Sequence, residues 1–330
     1  MSPRNQETHW IGFDLGGTKM FSVVYDKDFQ LCGKHRTKTK GHDGHKAGLN
    51  RMINTIRQSM EDAGISDQNL SGIGIGCPGP LDLDRGILES APNLGWKNVP
   101  IKKSLEAEFE CKVNLINDVD AGVYGEYRFG AGKDCRTAVG VFPGTGIGGG
   151  CVYDGKILRG KKSSCMEIGH MQVVPNGPLC GCGRRGCLES VASRLVISSQ
   201  AAAAAYRGQA PHLMQNQGTD ISRIRSGALK EAIYSGDTVI DRIVRDAARY
   251  IGVAVANVVH MLAPDKIILG GGMVEALPDL FVTEVKKTAS DRVLPTFSKS
   301  FDVVAAELGD LASVIGAAAW ADFNSEPNSA

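Results

Sequence analysis

Residues 9–26, HWIGFDLGGTKMFSVVYD, alternate apolar and polar side chains on both sides of Gly16 and Gly17, the pattern of two strands joined by a glycine turn. Residues 137–156, TAVGVFPGTGIGGGCVYDGK, repeat that pattern around a Gly-Thr-Gly turn. Two such hairpins far apart in one chain suggest an internally duplicated architecture. Between them the spacing predicts an amphipathic helix over 45–63, a strand in LSGIGIGCPGPLD (70–82) and a helix near 101–110. A strand in KVNLIND then leads into a helix at VDAGVYGEYRF. This order is that of a mixed α/β fold. Beyond residue 189 the chain becomes mainly helical, with helices over 189–206, 221–235 and 237–262. In the last of these Val239, Ile240, Ile243, Val244, Ala247, Ile251, Ala254, Val255, Val258 and Leu262 keep the spacing of a buried face. Segment 207–219 has loop composition, DKIILGGGM (265–273) reads as a strand ending in glycines, GDLASVIGAAAWADF (309–323) as a final apolar helix, and 324–330 as a disordered tail.

Composition narrows the function classes. With 330 residues and 42% hydrophobic content, the chain can bury a substantial core, and its length suggests two domains. A formal charge of +1 with interspersed signs argues against a polyanionic partner or an anionic membrane surface. Residues 1–8 are polar, and no run of about 18 apolar residues is present, so a cytoplasmic location is expected. A reducing compartment disfavours disulfides among the nine cysteines. Six of these are scattered, whereas Cys180, Cys182 and Cys187 fall within CGCGRRGC, where glycines let the backbone wrap a small object.

Three thiolates require a fourth ligand to close a tetrahedral zinc site, and His170 lies ten residues upstream. A Cys3His structural Zn2+ is therefore expected, with a tight turn of unligated thiols as the alternative. Glu167 and Glu189 flank this loop, and two carboxylates held by it suit a ligand rich in hydroxyls, such as a sugar. Glu189 also fits the first turn of the helix it opens.

Both glycine turns are candidate phosphate sites, because converging backbone N–H groups hold an anion without a cationic side chain. In the first, Gly16 and Gly17 are followed by Thr18 and Lys19, and Asp14 could hold Mg2+ directly or through water. In the second, Gly144, Thr145 and Gly146 qualify. Neither is a P-loop, since the Gly-Lys-Ser/Thr signature is absent. Gly271 and Gly272, after a strand, would let an adenine lie against the backbone. Asn117 and Asp118 end a strand just before a helix, a position that projects side chains toward ligand in α/β folds. Asp118 is the candidate general base for phosphoryl transfer, with a helix N-cap as its alternative role.

As a set, DLGGTK, GCPGPLD, APNLGW, LINDVDAGVYGE, GTGIGGG, EIGH, CGCGRRGCLES and ILGGGM resemble the ROK sugar kinases of the hexokinase/actin-like superfamily, over about residues 10–320. The resemblance implies two RNase H-like α/β domains around a cleft, binding ATP with Mg2+. It implies a discontinuous first domain, 1–120 plus about 315–330, and a second domain, 121–314, carrying the zinc loop (165–190). It also implies sugar contacts from Asn93, Asn117, Asp118, Glu167, His170 and Glu189, with His170 shared between zinc and a sugar hydroxyl, and a homodimer. Glucose is the first expectation among sugars; N-acetylglucosamine, N-acetylmannosamine, mannose and fructose are the near alternatives, and polyphosphate an alternative donor. Sugar-responsive repressors of the family carry a DNA-binding domain ahead of the first glycine motif, for which the eleven residues before GFDLGGT leave no room. Retention of Asp118 and the glycine turns argues against a catalytically silent sugar binder. Asp120 departs from the Asn-Asp-Ala-Asn of many relatives and places a second carboxylate two residues from the base, where like-charge coupling would raise its pKa if both face one site.

Overall fold

The computed structural model describes residues 8–161 and 165–325. The chain starts with β1 (His9–Leu15), β2 (Lys19–Tyr25), β3 (Leu31–Lys38), α1 (His45–Ala63) and β4 (Leu70–Cys77). Short strands β5 (Leu81–Asp82), β6 (Ile87–Ala91) and β7 (Trp96–Val99) form a small sheet of their own, followed by α2 (Ile101–Phe109), β8 (Lys112–Asn117) and α3 (Asp118–Phe129). A second series has β9 (Thr137–Pro143), β10 (Ile147–Tyr153), β11 (Lys156–Ile157), α4 (Glu189–Ala192), α5 (Arg194–Tyr206), α6 (Pro211–Gln217), α7 (Ser226–Tyr234) and α8 (Thr238–Leu262). It continues with β12 (Lys266–Leu269), α9 (Gly272–Ala276), α10 (Pro278–Ser290) and β13 (Asp302–Ala305), and the last helix is α11 (Ala312–Phe323).

Each series builds a five-stranded sheet of the same topology: β3-β2-β1-β4-β8 in one, β11-β10-β9-β12-β13 in the other. In each, the opening strand pairs antiparallel with its hairpin partner and parallel with the strand on its other side. The duplication suggested by the two hairpins is therefore present at the level of topology. Two compact units result: the first takes in the chain through Lys133, Ile157–Cys165 and the residues from Asp310 on; the second takes in Asp134–Lys156 and Met166–Gly309. The boundary falls at 133 rather than at 120, because α3 packs against α11 and stays with the first unit.

The first sheet is covered on both faces. Ile11, Phe13 and Leu15 pack with Met52, Ile56 and Met60 of α1, whereas Trp10, Phe21 and Tyr25 pack with Val314, Ala318 and Ala321 of α11. The helix approaches so closely that a Cβ on Gly12 would overlap the Val314 carbonyl oxygen and one on Gly74 that of Ala317. Gly316 meets the Ala121 carbonyl of α3 in the same manner. In the second unit α8 is the core helix, with Ile240, Val244, Ala247, Ile251, Ala254, Val255 and Val258 buried, whereas Val239, Ile243 and Leu262 at the margins of the expected face are only half-buried.

Several boundaries depart from expectation. The strand read over 70–82 stops at Cys77, where Pro78 and Pro80 withhold the N–H groups a ladder needs. The helix read over 189–206 breaks at Ser193, which is extended and accepts the Val196 N–H as the N-cap of α5. Segment 207–219, read as loop, contains α6 with Pro211 at its start, where the missing N–H costs nothing. Helix α7 begins at Ser226 rather than 221, and β3 was not foreseen. Helix α11 ends at Phe323; the tail beyond Ser325 and residues 1–7 lie outside the described residues. Among the described residues no helix is long and apolar enough to cross a membrane.

Candidate functional site

In the first unit, Asp14 is the penultimate residue of β1, and after Leu15 the chain turns through Gly16, Gly17 and Thr18 into Lys19 of β2. Gly17 lets the Asn93 side-chain amide lie against the turn: a Cβ there would come within 2.8 Å of Nδ2. The turn is braced from below by Thr39, fully buried, whose hydroxyl donates to the Gly16 carbonyl at 2.7 Å and whose N–H donates to the Thr18 carbonyl at 2.9 Å. Arg51 in turn donates to the Thr39 carbonyl at 2.6 Å and to Asp43 at 2.7 Å. A cavity of about 440 Å³ opens beside the turn, lined by Gly17, Thr18, Lys38, Lys40, His42 and Asn93 among others.

The β8–α3 junction supplies the acids. Asn117 is the N-cap, its side chain accepting the N–H groups of Val119 at 2.9 Å and Asp120 at 3.2 Å. That resolves the alternative left for Asp118: the cap is its neighbour, while the Asp118 carboxylate accepts the Val119 N–H at 3.0 Å. Burial pushes the Asp118 carboxyl up to about 6, against the pull of backbone N–H donors. Burial first, and then the Asp118 charge, carry Asp14 up to about 7, the Ser313 hydroxyl at 3.3 Å and Arg36 offsetting only part of the rise. Asp120 is buried within α3, and burial rather than a neighbouring acid is what raises Asp118.

In the second unit the Gly144–Ile147 turn joins β9 to β10, with the Gly144 N–H donating to the Gly146 carbonyl at 2.8 Å. Glu189 reaches it: the Ile147 N–H donates to Glu189 Oε2 at 3.1 Å, and Gly146 must lack a Cβ for this carboxylate to fit. Glu189 is therefore more than an acid placed at a helix start; α4 has four residues, and its first side chain is committed to the turn. At the other end of α4, the Arg194 N–H donates to the Gly144 carbonyl at 2.9 Å and its Nη2 to the Thr145 hydroxyl at 2.8 Å.

His170 closes a short 3-10 turn, Ile168–His170, preceded by Glu167; both side chains are exposed. The ligand atoms of His170, Cys180, Cys182 and Cys187 all lie within 4.8 Å of one another. Cys182 and Cys187 Sγ are 3.7 Å apart, as are Cys180 Sγ and His170 Nδ1. With zinc–sulfur bonds of about 2.3 Å, a tetrahedral site requires sulfurs about 3.8 Å apart, so the four residues fit one ion. Gly183 and Gly186, at φ 82° and 74°, make the loop's reversals, and a Cβ on Gly186 would overlap the Val174 carbonyl. Glu189 Oε1 lies 3.8 Å from Cys180 Sγ, so one carboxylate touches both the cysteine loop and the glycine turn. Gly271, at φ 82°, links β12 to Gly272 of α9 and faces the Pro143 carbonyl.

Within each unit, then, the residues expected from the sequence converge: Asp14, the Gly16–Thr18 turn, Asn93, Asn117 and Asp118 in one; the Gly144–Gly146 turn, Glu189 and the four metal-ligand candidates in the other. Sequence reasoning missed Thr39 and Arg194. Ser193, a capping residue inside a helical run, was the one signal that pointed toward the latter.

The ROK family profile matches residues 10–323. A glucokinase from Thermotoga maritima is 35% identical over 314 residues, spanning 93% of this chain and 95% of its own. The crystal structure of a ROK family glucokinase from Streptomyces griseus in complex with glucose and AMPPNP has a TM-score of 0.81 at 30% identity, covering 95% of this chain and 99% of that one. A xylose repressor from Caldicellulosiruptor bescii is 27% identical over 307 residues, 93% of this chain and 76% of its own. With the family profile matched over residues 10–323 and a relative 35% identical across nearly the full length of both chains, the chain belongs to the ROK family.

Proposed function

We propose that this ROK sugar kinase is a glucokinase, moving the γ-phosphoryl group of ATP to the primary hydroxyl of glucose. The observation that carries the chemistry is Asp118: a carboxylate at a strand end, relieved of capping by Asn117 and raised by burial to about 6, ionised at neutral pH and basic enough to take a proton. As the sugar oxygen forms its bond to the γ-phosphorus, the bond from that phosphorus to the β,γ-bridging oxygen breaks and ADP leaves with the electron pair. The hydroxyl proton passes to Asp118. The preference for glucose rests on the glucokinases among the similar proteins.

Asn93 and Asn117 in the first unit and Glu167, His170 and Glu189 in the second are the proposed sugar ligands. With His170 Nδ1 turned toward Cys180, its Nε2 is the nitrogen left for a hydroxyl. Zn2+ in the Cys3His set would hold this loop, taking no part in the reaction. The two glycine turns are the proposed phosphate sites, and Asp14, an acid raised to about 7 beside another acid, suits Mg2+ bound with the nucleotide, which would neutralise phosphate charge.

The test is ADP release from MgATP with glucose, mannose, fructose, N-acetylglucosamine and N-acetylmannosamine, the Asp118→Asn protein serving as control. Turnover with glucose foremost, absent from the variant, is expected. A strong preference for another sugar would reassign the substrate, and no turnover with any sugar by zinc-loaded, folded protein would overturn the kinase reading.

A further inference from the structure

The Gly144–Ile147 turn leaves the N–H groups of Thr145 and Gly146 without an acceptor among the described residues, because the turn's other polar groups are taken by Gly146, Glu189 and Arg194. Two successive open N–H groups are donors available to an anion. Beside it stands a guanidinium. Arg194 spends one N–H on the Thr145 hydroxyl and forms no ion pair with any described residue, although Arg36, Arg51, Arg57, Arg245 and Arg249 all do. Its backbone N–H is fixed on the Gly144 carbonyl and Ser193 caps the helix behind it, so the side chain springs from a rigid point. Four of its five donors remain open over the turn.

We infer that Arg194 is a phosphate ligand of the nucleotide donor: it joins the Thr145 hydroxyl and the two backbone N–H groups in holding a phosphate oxygen of MgATP. The inference rests on the kinase reading above and adds to it a charged residue that the glycine turn alone does not supply. A planar fork fixed on one side by Thr145 presents its other edge for two parallel bonds to a phosphate, which a lysine cannot reproduce.

The substitution is Arg194→Gln, which keeps a polar N–H donor on a shorter, uncharged side chain, with Arg194→Lys keeping charge without the fork. Neither disturbs the backbone bond to Gly144 or the Ser193 cap, and thermal melting checks that both variants fold. Removing a charge-assisted contact should raise KM for MgATP about ten- to a hundredfold in Arg194→Gln and less in Arg194→Lys, with KM for glucose within about twofold. The rise of KM for MgATP with ionic strength should flatten in Arg194→Gln. Binding of Mg-AMPPNP without sugar, followed by calorimetry, gives the same comparison independently of turnover.

A wild-type KM for MgATP in Arg194→Gln overturns the inference, because the guanidinium would then only brace Thr145. If the wild-type protein phosphorylates no sugar yet binds Mg-AMPPNP in an Arg194-dependent way, the kinase reading falls and the phosphate ligand stands. If it turns sugar over and both variants match it, the ligand falls and the kinase stands. Absence of both turnover and nucleotide binding overturns the two together.

Discussion

Replacing Asp118 with asparagine separates what the carboxylate does for turnover from what it costs the fold. Asparagine keeps the shape and an oxygen for the Val119 N–H, and Asn117 goes on capping α3, so the local structure has no reason to change. Loss of a general base typically lowers kcat about 10²- to 10⁴-fold. Stability should move the other way. Burial holds the native carboxyl at about 6 against 3.8 for an ordinary aspartate. Two pKa units correspond to ~3 kcal/mol, and the partial exposure of the side chain reduces this to ~1–2 kcal/mol. The sign follows from proton counting: below both values native and unfolded chains are equally protonated, between them the unfolded chain ionises first, and above about 6 the full penalty falls on the native state. The variant should therefore melt about 1–3 °C higher than wild type at pH 8, with the gain vanishing below pH 4. Relief of Asp14, which the Asp118 charge raises, adds to the gain. The assays are ADP release at saturating glucose and MgATP, and melting curves across that pH range. Turnover within about threefold of wild type would remove Asp118 as the base, and a lower melting temperature at pH 8 would refute the burial argument.

Other perturbations test the remaining links. In the wild-type enzyme kcat/KM for sugar should fall about tenfold per unit below pH ~6, as Asp118 takes up its proton; a flat profile to pH 4.5 would place the titrating base elsewhere. Cys182→Ser removes one of four ligands and should strip metal on dialysis, read by metal analysis, and raise KM for both glucose and MgATP, because Glu189 connects the loop to the glycine turn; unchanged constants in metal-free protein would make the loop irrelevant to both ligands. Gly74→Ala would drive a methyl into the Ala317 carbonyl and should cost upward of ~3 kcal/mol or prevent folding, visible as loss of soluble protein. Thr39→Val leaves the Gly16 carbonyl without its donor and should lower stability by about 1–2 kcal/mol in denaturant titration, with Thr39→Ser restoring it.

Local patterns carried much of the fold into the sequence. The hairpin at 9–26 and the helices at 45–63 and 237–262 have clear periods, and Gly16–Gly17 and a left-handed Gly64 set the bounds of the first two. What could not be read there depends on partners distant in sequence. Helical composition runs unbroken from 189 to 206, so the break at Ser193 becomes necessary only once Arg194 and Glu189 must grip one turn more than 40 residues upstream. Helix α6 hides in a polar stretch because its one buried apolar side chain, Leu213, gives no period. The candidate ligands at Cys180, Cys182 and Cys187 were legible because chelation fixes spacing along the chain; Thr39, whose hydroxyl and N–H both donate to a turn distant in the sequence, leaves no such imprint.

Helix α11 lies directly on the glycines of β1 and β4, although the residues between Lys133 and Asp310 belong mostly to the other unit. During synthesis the opening sheet emerges first and waits with one face bare, its Trp10, Phe21 and Tyr25 uncovered, until the final helix has left the ribosome. The unit that begins later is complete by Gly309 and is the first able to close. The order of maturation thus runs against the order of the sequence. Asp118, the proposed base, is translated within the first 120 residues and gains its finished surroundings among the last, so a stalled or nicked chain leaves the glycine turn of the second unit assembled and the proposed base of the first without support.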